Sequence, residues 1–431
     1  MAEETLDITV EGAAALGGKL TQAFNPRTVE PGAPAAPEPD HTWPLEGGKA
    51  WIWRVPGNAT LTNPVIIADG FSGGASLLAE WAGLWAQSEI AGSYPWGTKL
   101  HEQGRDVIVL GYNSRSAPIR DNAEVAIQCI QQAAAERTGD TPLVVGGLSM
   151  GGLVTRYALA KLESEEDDVA HEVGTYFSYD SPQRGAWIPI SLQVFAHFLS
   201  ALADLLPDKP ENEEKKRQLK AMQGLINSPA ARELLWKHTK THLGLDSTFT
   251  ADPARQTFLD ALEAVGSYPK NVRRLGVANG RGDGEGLDVT PGVKNLDWPK
   301  ETLQPGATLY AQDGGTDKKV AELHKVIGGT TTVKTSGIPA LDGAPGGTLD
   351  SFGIAAKALD EAGYTATVAF PDVCFVPVAS AVDLADPSDP FAPVNEMDKD
   401  ESILHEFKVA SQNEGHTLLT RELCNWLTER F

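Results

Sequence analysis

The sequence predicts an α/β fold built around a mostly parallel sheet, and two features support this. After residue 63, short uninterrupted apolar runs recur along the chain: "PVIIAD", "DVIVLGY", "PLVVGG", "VGTYFSYD", "NVRRLGVANG" and "VCFVPVAS". Such runs are typical of strands buried on both faces of a sheet. Helical patterns separate the first four runs, and in 121–137 the apolar side chains lie near one helix face. Strands that alternate with helices indicate right-handed crossovers and parallel pairing.

Two regions interrupt this alternation. Residues 186–268 are helix-rich and begin with the apolar piece "WIPISLQVFAHFLSALADLL", whereas residues 284–370 are rich in Gly and Thr, with strands predicted in "ATLYAQ" and "GTTTVKTSG" and a helix in "SFGIAAKALDEAG". We predict that both are insertions into one domain that spans residues 64–431.

Residues 1–63 form a separate N-terminal segment in this prediction. It has strand-like pieces at Leu6 to Val10 and Trp51 to Val55 and a Pro-rich link, "NPRTVEPGAPAAPEPDHTWP". Proline lacks the amide that a central strand needs, so we expect the link to lie on the surface.

Charge and composition exclude several classes of protein. The net charge of −22 argues against nucleic-acid binding, which needs a basic face. The sequence contains no apolar run of the roughly 20 residues that span a bilayer. The first residues, "MAEETLDITV", lack the basic and apolar regions of a signal peptide, which predicts a cytoplasmic protein, or a secreted one if a leader was removed. Nothing in the sequence predicts an oligomeric state.

Neither a cofactor nor a metal is predicted. The 3 cysteines are far apart and odd in number, which implies no disulfide framework and no metal-ligand spacing. The acidic stretches "RGDGEGLD" and "DLADPSDP" do not match the calcium-binding loop pattern, and we interpret them as solvated loops.

The segment "PLVVGGLSMGGLVTRYALAKLESEE" carries the strongest chemical signal. Gly147 to Gly151 fits the pattern G-x-S-x-G, between a predicted strand and a predicted helix. In that setting Ser149 occupies a strained turn that exposes its hydroxyl for nucleophilic attack, and the glycines avoid clashes. The alternative is an ordinary Gly-Ser-Gly turn at a helix N-terminus.

Three sequence motifs, one of which contains Ser149, resemble those of a known family. The stretches "GGLSMGGLVTRYAL", "YDSPQRGAWIP" and "DGFSGG" resemble the α/β-hydrolase superfamily, in particular its bacterial lipase and esterase branch. The resemblance covers the sheet from about residue 64 to the C-terminus, without the two insertions. It implies an α/β-hydrolase fold, a helical lid formed by 186–268, and a triad in the order Ser, acid, His. Asp69 stands where lipases usually carry histidine.

A serine hydroxyl needs a base that is oriented by a carboxylate. We predict His416 as the base, because "SQNEGHTLLTRELCNWL" precedes the final amphipathic helix, where the family places its histidine; His405 is the alternative. For the acid we predict Asp283 in "VANGRGDG", two strands after Ser149 in a Gly-bounded loop. Asp180 in "SYDSPQRG" is the alternative acid, or else caps the Ser-Pro turn that follows it.

The oxyanion donors and the substrate side complete the predicted site. The backbone N–H groups of Met150 and Phe71 are expected to form the oxyanion hole, unless "GFSGG" is a plain glycine-rich turn. Trp187, Phe195 and Phe198 are expected to bind substrate if their helix is a lid. The same helix would fit a core position on the sheet equally well.

The sequence therefore predicts a serine hydrolase that cleaves carboxylic esters of small or lipid-like substrates through an acyl-enzyme. An amidase, a thioesterase or an acyltransferase would use the same triad, and a non-catalytic scaffold of the same fold would bind a ligand or partner instead. The resemblance does not decide the substrate.

Overall fold

The computed structural model describes residues 35–85, 93–164, 171–239, 249–301, 304–325, 329–385, 389–397 and 399–431. The strand predicted at Leu6 to Val10 and the first part of the Pro-rich link lie outside these residues.

Strands are numbered along the chain. They are β1 His41–Leu45, β2 Gly48–Trp53, β3 Pro64–Ala68, β4 Asp106–Tyr112, β5 Leu143–Leu148, β6 Val173–Tyr179, β7 His238–Thr239, β8 Phe249–Thr250, β9 Arg273–Arg281, β10 Lys294–Trp298, β11 Gly306–Tyr310, β12 Lys318–His324, β13 Thr330–Thr335, β14 Gly346–Leu349, β15 Thr367–Val368, β16 Val373–Pro377 and β17 Glu406–Ala410.

The α-helices are α1 Trp96–Glu102, α2 Ile119–Glu136, α3 Met150–Ser164, α4 Ile190–Ala203, α5 Pro210–Ile226, α6 Pro229–Leu234, α7 Pro253–Ala264, α8 Ser351–Glu361, α9 Val378–Ala381 and α10 Arg421–Thr428. Short 3₁₀ helices occupy Leu78–Leu84, Leu341–Gly343, Val394–Glu396 and Lys399–Glu401. In the described part of the chain, no helix has the length and apolar character needed to cross a membrane.

The central sheet has eight strands in the order β1-β2-β4-β3-β5-β6-β9-β17. All pairs from β4 to β17 are parallel, whereas β1 and β2 are antiparallel additions at one edge. The sheet is therefore mostly parallel, as the sequence predicts. It starts at His41 rather than near residue 64, so part of the predicted N-terminal segment belongs to it. Pro44 is tolerated in β1 because an edge strand can spare an amide.

Both faces of this sheet are covered, which explains the uninterrupted apolar runs. Along β3, Ile66 and Ala68 pack into the core beneath α2 and α3, while Val65 and Ile67 pack into the core on the opposite face, with α1 and α10. The carboxyl ends of the parallel strands meet at one edge of the sheet, where ligands bind in open α/β sheets.

The sixth apolar run is not a strand of the central sheet. It forms β16, which pairs with β14 in a separate two-stranded antiparallel ribbon. The last strand of the central sheet is β17, beside β9. The pattern missed β17 because its sequence, EFKVA, is charged and only Ala410 is buried.

The two regions that interrupt the alternation contain different structures. Between β6 and β9 lie helices α4 to α7. Between β9 and β16 lies a five-stranded antiparallel sheet in the order β13-β12-β11-β10-β15. Helix α4 packs against α5 on one side and against β11 and β12 on another.

Candidate active site

Ser149 lies in a tight turn between β5 and α3. Its φ of 53° places it in the left-handed region, which non-glycine residues rarely adopt. The turn is held in place because the Ser149 N–H donates to the carbonyl of Tyr179 at the end of β6, at 2.9 Å.

The glycines of the motif are required by close packing at this turn. A Cβ on Gly147 would overlap the backbone of Gly151, and a Cβ on Gly151 would overlap the carbonyl of Ala68 at the end of β3. A Cβ on Gly152 would overlap the side chain of Ser181. The sequence GGLSMGG therefore lets β3, β5 and α3 approach closely enough to form the turn.

His416 contacts Ser149 directly. It lies in the segment between β17 and α10, residues 411–420, which we call the histidine loop. Its Nε2 atom is 2.7 Å from Ser149 Oγ, and its Nδ1 atom is 2.6 Å from Asp180 Oδ2. The side chains of His416 and Asp180 are fully buried, and Ser149 is 4% exposed.

Asp180 immediately follows β6 and is held by its backbone. Its φ is 47°, a second left-handed non-glycine residue in the site. The Asp180 N–H donates to the carbonyl of Val277 at 2.7 Å, and the Oδ1 atom accepts from the Asn279 N–H at 3.0 Å. The other carboxylate oxygen is left to accept from His416.

This geometry fixes the tautomer of the imidazole. A buried carboxylate at Nδ1 requires a proton on that nitrogen, so neutral His416 has an unprotonated Nε2 that accepts from the Ser149 hydroxyl. The arrangement can remove the serine proton and stabilise the imidazolium that forms.

The β14–β16 ribbon holds the histidine loop from the other side. The His416 N–H donates to the Thr348 carbonyl at 2.8 Å, and the Thr348 N–H donates to the Glu414 carbonyl at 2.9 Å. The Phe375 ring packs edge-on against the imidazole, with the ring centroids 4.8 Å apart. The region that the sequence assigns to the second insertion therefore extends into contact with the catalytic histidine candidate.

One oxyanion candidate directly follows Ser149, and the other directly follows a glycine that lies against it. Met150 is the first residue of α3, directly after Ser149. Gly70, which precedes Phe71, is so close that a Cβ on it would lie 3.1 Å from Ser149 Cβ. The Gly70 N–H donates to Asp69 Oδ1 at 2.7 Å, and Asp69 lies 3.7 Å from the Arg115 guanidinium. Asp69, in place of histidine, thus anchors the start of this loop.

The structure does not bring Asp283 to His416. Asp283 is an exposed residue beyond the end of β9, and its carboxylate pairs with the Arg281 guanidinium. This ion pair lowers the pKa of Asp283. The carboxylate that contacts His416 is instead Asp180, which the sequence offers as the alternative and which immediately follows β6, the strand next to β5.

His405 lies at the opposite edge of the sheet. It immediately precedes β17, and its Nδ1 atom accepts from the Arg274 N–H at 3.0 Å. Burial and the nearby Arg274 lower the pKa of His405. It is not in contact with the serine turn.

The three candidate substrate residues differ in position. Phe195 and Phe198 are buried in α4, where their rings stack, and Phe195 also contacts Trp298 of β10 edge-on. These contacts indicate a core helix between α5 and the five-stranded sheet. Trp187 lies nearer His416, because its N–H donates to the carbonyl of Phe375 at 2.7 Å, and the Phe375 ring packs against the imidazole. Its indole N–H donates to the buried Asp342 at 2.7 Å.

No group of three or more potential metal ligands occurs among the described residues. The three cysteines are buried thiols, and burial raises the pKa of each.

Sequence reasoning missed four residues that contact or closely approach Asp180, His416 or the histidine loop: Asn279, Gly347, Thr348 and Phe375. For Asp180 the sequence did contain a signal, since it is the first residue after the strand that follows the nucleophile helix. For the supporting residues we find no local signal, because their contacts depend on how β14 and β16 fold back onto the histidine loop.

Comparisons with known proteins give only distant matches. No family model matches the chain, and no curated protein matches it. A Bacillus licheniformis lipase in its propeptide form is 12% identical with a TM-score of 0.31, and the match covers 57% of this chain and 40% of that chain. Est1E from Butyrivibrio proteoclasticus with bound ferulic acid is 14% identical with a TM-score of 0.27, covering 55% of this chain and 78% of that one. An inhibited esterase B from Lactobacillus rhamnosis is 12% identical with a TM-score of 0.25, covering 56% and 76%.

Because these identities and TM-scores are low, we describe the fold from the strands, helices and contacts of this chain alone. The mostly parallel eight-stranded sheet, the strand–turn–helix around Ser149 and the histidine before the last helix together describe an α/β-hydrolase-like fold.

Proposed function

We propose that this protein is a serine hydrolase that cleaves carboxylic esters through an acyl-enzyme, with Ser149 as nucleophile, His416 as general base and Asp180 as its orienting carboxylate. One observation carries the proposal: the continuous chain of hydrogen bonds from Ser149 Oγ through His416 to Asp180, with lengths of 2.7 and 2.6 Å. The positive φ of Ser149 supports it, because strain of this kind concentrates at functional sites.

The reaction has two similar halves. The Ser149 hydroxyl proton moves to His416 Nε2 as the oxygen attacks the carbonyl carbon of the ester, which gives a tetrahedral oxyanion. The intermediate collapses, the bond to the alkoxy oxygen breaks, and His416 returns the proton to the leaving alcohol. Water then attacks the acyl-enzyme with the same proton path and releases the carboxylic acid and free Ser149.

Two backbone N–H groups are our candidates for stabilising the oxyanion. Met150 supplies one at the N-terminus of α3, and Phe71 supplies the other from the loop that begins at Gly70, against Ser149. Donors aimed at the developing charge in a buried site are worth more than in water.

A small-molecule or lipid-like ester is the proposed substrate. Trp187 is the substrate-side residue we retain, because its N–H donates to the carbonyl of Phe375, whose ring packs against the His416 imidazole. Phe195 and Phe198 we assign to the core.

The test combines a fluorophosphonate label with a substrate panel. We expect the native protein to be labelled at Ser149, and Ser149→Ala to lose both labelling and turnover of nitrophenyl esters by a factor of roughly 10⁶. Absence of labelling in the native protein would support a non-catalytic scaffold instead. Anilides, thioesters and alcohol acceptors run beside the esters distinguish the alternatives, and faster turnover of one of them would reassign the activity.

A further inference from the structure

Asn279 is a fully buried residue near the end of β9, between the strands that deliver Asp180 and the histidine loop. Its backbone contacts both partners. The Asn279 N–H donates to Asp180 Oδ1 at 3.0 Å, and its carbonyl accepts from the Glu414 N–H at 2.8 Å.

The side-chain amide of Asn279 binds the histidine loop on both sides of His416. Its Nδ2 group donates to Glu414 Oε2 at 3.0 Å and to the Leu418 carbonyl at 2.9 Å. Glu414 lies two residues before the histidine and Leu418 two residues after it. One amide group therefore fixes the loop segment that carries the imidazole.

The side-chain amide of Asn279 can donate two hydrogen bonds at this position, whereas an ionised carboxylate could donate none. Both groups that face Nδ2 are acceptors, while Asn279 Oδ1 is buried with no hydrogen-bond partner among the described residues. A flipped amide would turn its oxygen toward two acceptors. Glu414 is only partly exposed; burial and the nearby charges of Glu422 and Asp180 raise its pKa, whereas the bond from Asn279 lowers it.

We propose that Asn279 is a positioning residue, whose amide holds both flanks of His416 so that the imidazole stays in line between Asp180 and Ser149. This inference rests on the proposed function. The side chain of Asn279 donates to Glu414 and Leu418 and not to Ser149 or the imidazole, and its backbone bond to Asp180 does not depend on its side chain.

The main test replaces Asn279 and a matched asparagine. Asn295 is also buried in a strand, β10, and holds a loop: its Oδ1 atom accepts from the Phe370 N–H at 2.7 Å. We expect Asn279→Ala to lower kcat for a nitrophenyl ester about 10- to 100-fold with KM changed less than about threefold, because two bonds to the loop are lost. Asn295→Ala should keep kcat within about twofold at a comparable loss in thermal stability.

A second variant uses pH. Asn279→Asp keeps the shape of the side chain but places a carboxyl against Glu414 and the Leu418 carbonyl. Protonated, that carboxyl donates one bond to the loop; ionised, it donates none and repels Glu414. The kcat of Asn279→Asp relative to the parent should therefore fall as pH rises, while the ratio for Asn279→Ala stays flat.

The low-field proton resonance of His416 Nδ1–H gives a readout that needs no turnover. It should be present in the parent and in Asn295→Ala, and shifted or broadened in Asn279→Ala. An unchanged resonance together with full kcat in Asn279→Ala would overturn the positioning role. Failure of the parent to hydrolyse any substrate would overturn the proposed function, and the resonance would still report on the loop.

Discussion

The ends of β6 and β9 lie side by side. Each is followed by an aspartate, Asp180 or Asp283, that the sequence presents as a candidate partner of His416. At the end of β6, Asp180 is buried in a left-handed turn and its carboxylate accepts one backbone N–H and the imidazole. Beyond β9, Asp283 is exposed and pairs with Arg281. The comparison shows that two aspartates can follow neighbouring strand ends, while burial and the backbone hydrogen bonds determine which carboxylate contacts the imidazole.

Removing the charge at each of these aspartates is the strongest test of the comparison. Asp180→Asn should lower kcat by roughly three to four orders of magnitude, because an amide at Nδ1 no longer selects the tautomer or stabilises the imidazolium. Asp283→Asn is the matched control and should change kcat less than about twofold, since an exposed ion pair contributes little. Steady-state kinetics on folded variants decides the matter, and a large loss in Asp283→Asn with a mild one in Asp180→Asn would reverse the assignment.

A glycine substitution tests how tightly Asp180 is held. A Cβ on Gly347 of β14 would overlap Asp180 Oδ2 and lie 3.2 Å from the His416 Cα atom. We expect Gly347→Ala to lower kcat about 10- to 100-fold, because the carboxylate or the ribbon must shift. Gly314→Ala is the control, since a Cβ there meets nothing within 4 Å. Equal kcat in the two variants would mean that Asp180 tolerates displacement.

Asp342 extends the comparison to a buried carboxylate without a histidine partner. It accepts from the Trp187 indole at 2.7 Å and from the Gln312 N–H at 2.8 Å, and burial raises its pKa from 3.8 to about 6. Between pH 3.8 and about pH 6, Asp342 is protonated in the folded protein but ionised in the unfolded chain. Asp342 therefore makes the free energy of unfolding fall as pH rises through this range.

The expected effect of Asp342→Asn is a loss of stability that depends on pH. The amide can accept only one of the two bonds, which costs about 1–3 kcal/mol. The difference in the free energy of unfolding between the parent and Asp342→Asn should become smaller from about pH 4 to about pH 7. The reason is that only the parent loses stability when Asp342 ionises. Denaturant unfolding at several pH values measures it, and a deficit that widens with pH would contradict the shifted pKa.

The sequence predicts the parts of the site that depend on neighbouring residues. The strand–turn–helix around Ser149 can be predicted because close local packing requires glycine at positions 147 and 151. His416 can be singled out because an amphipathic helix follows its loop. The sequence left the choice between Asp180 and Asp283 open, since the two differ in burial and in backbone hydrogen bonds to other strands, which a local pattern does not record.

The same limit explains the errors in the fold. β17 pairs with β9 although its sequence is polar, because one neighbour and α10 suffice to hold an edge strand. The apolar run of β16 fits a central strand equally well by pattern. Its place in the β14–β16 ribbon follows from pairing across a long stretch of chain.

The long separation between Ser149 and His416, 267 residues along the chain, also affects the order in which the site forms during synthesis. Ser149 and Asp180 are synthesised long before the histidine loop. The β14 strand that binds this loop also emerges earlier. His416 can therefore meet Asp180 only after 236 further residues have been added to the chain. A nascent chain that ends between these two residues carries Ser149 and Asp180 without the imidazole that contacts both.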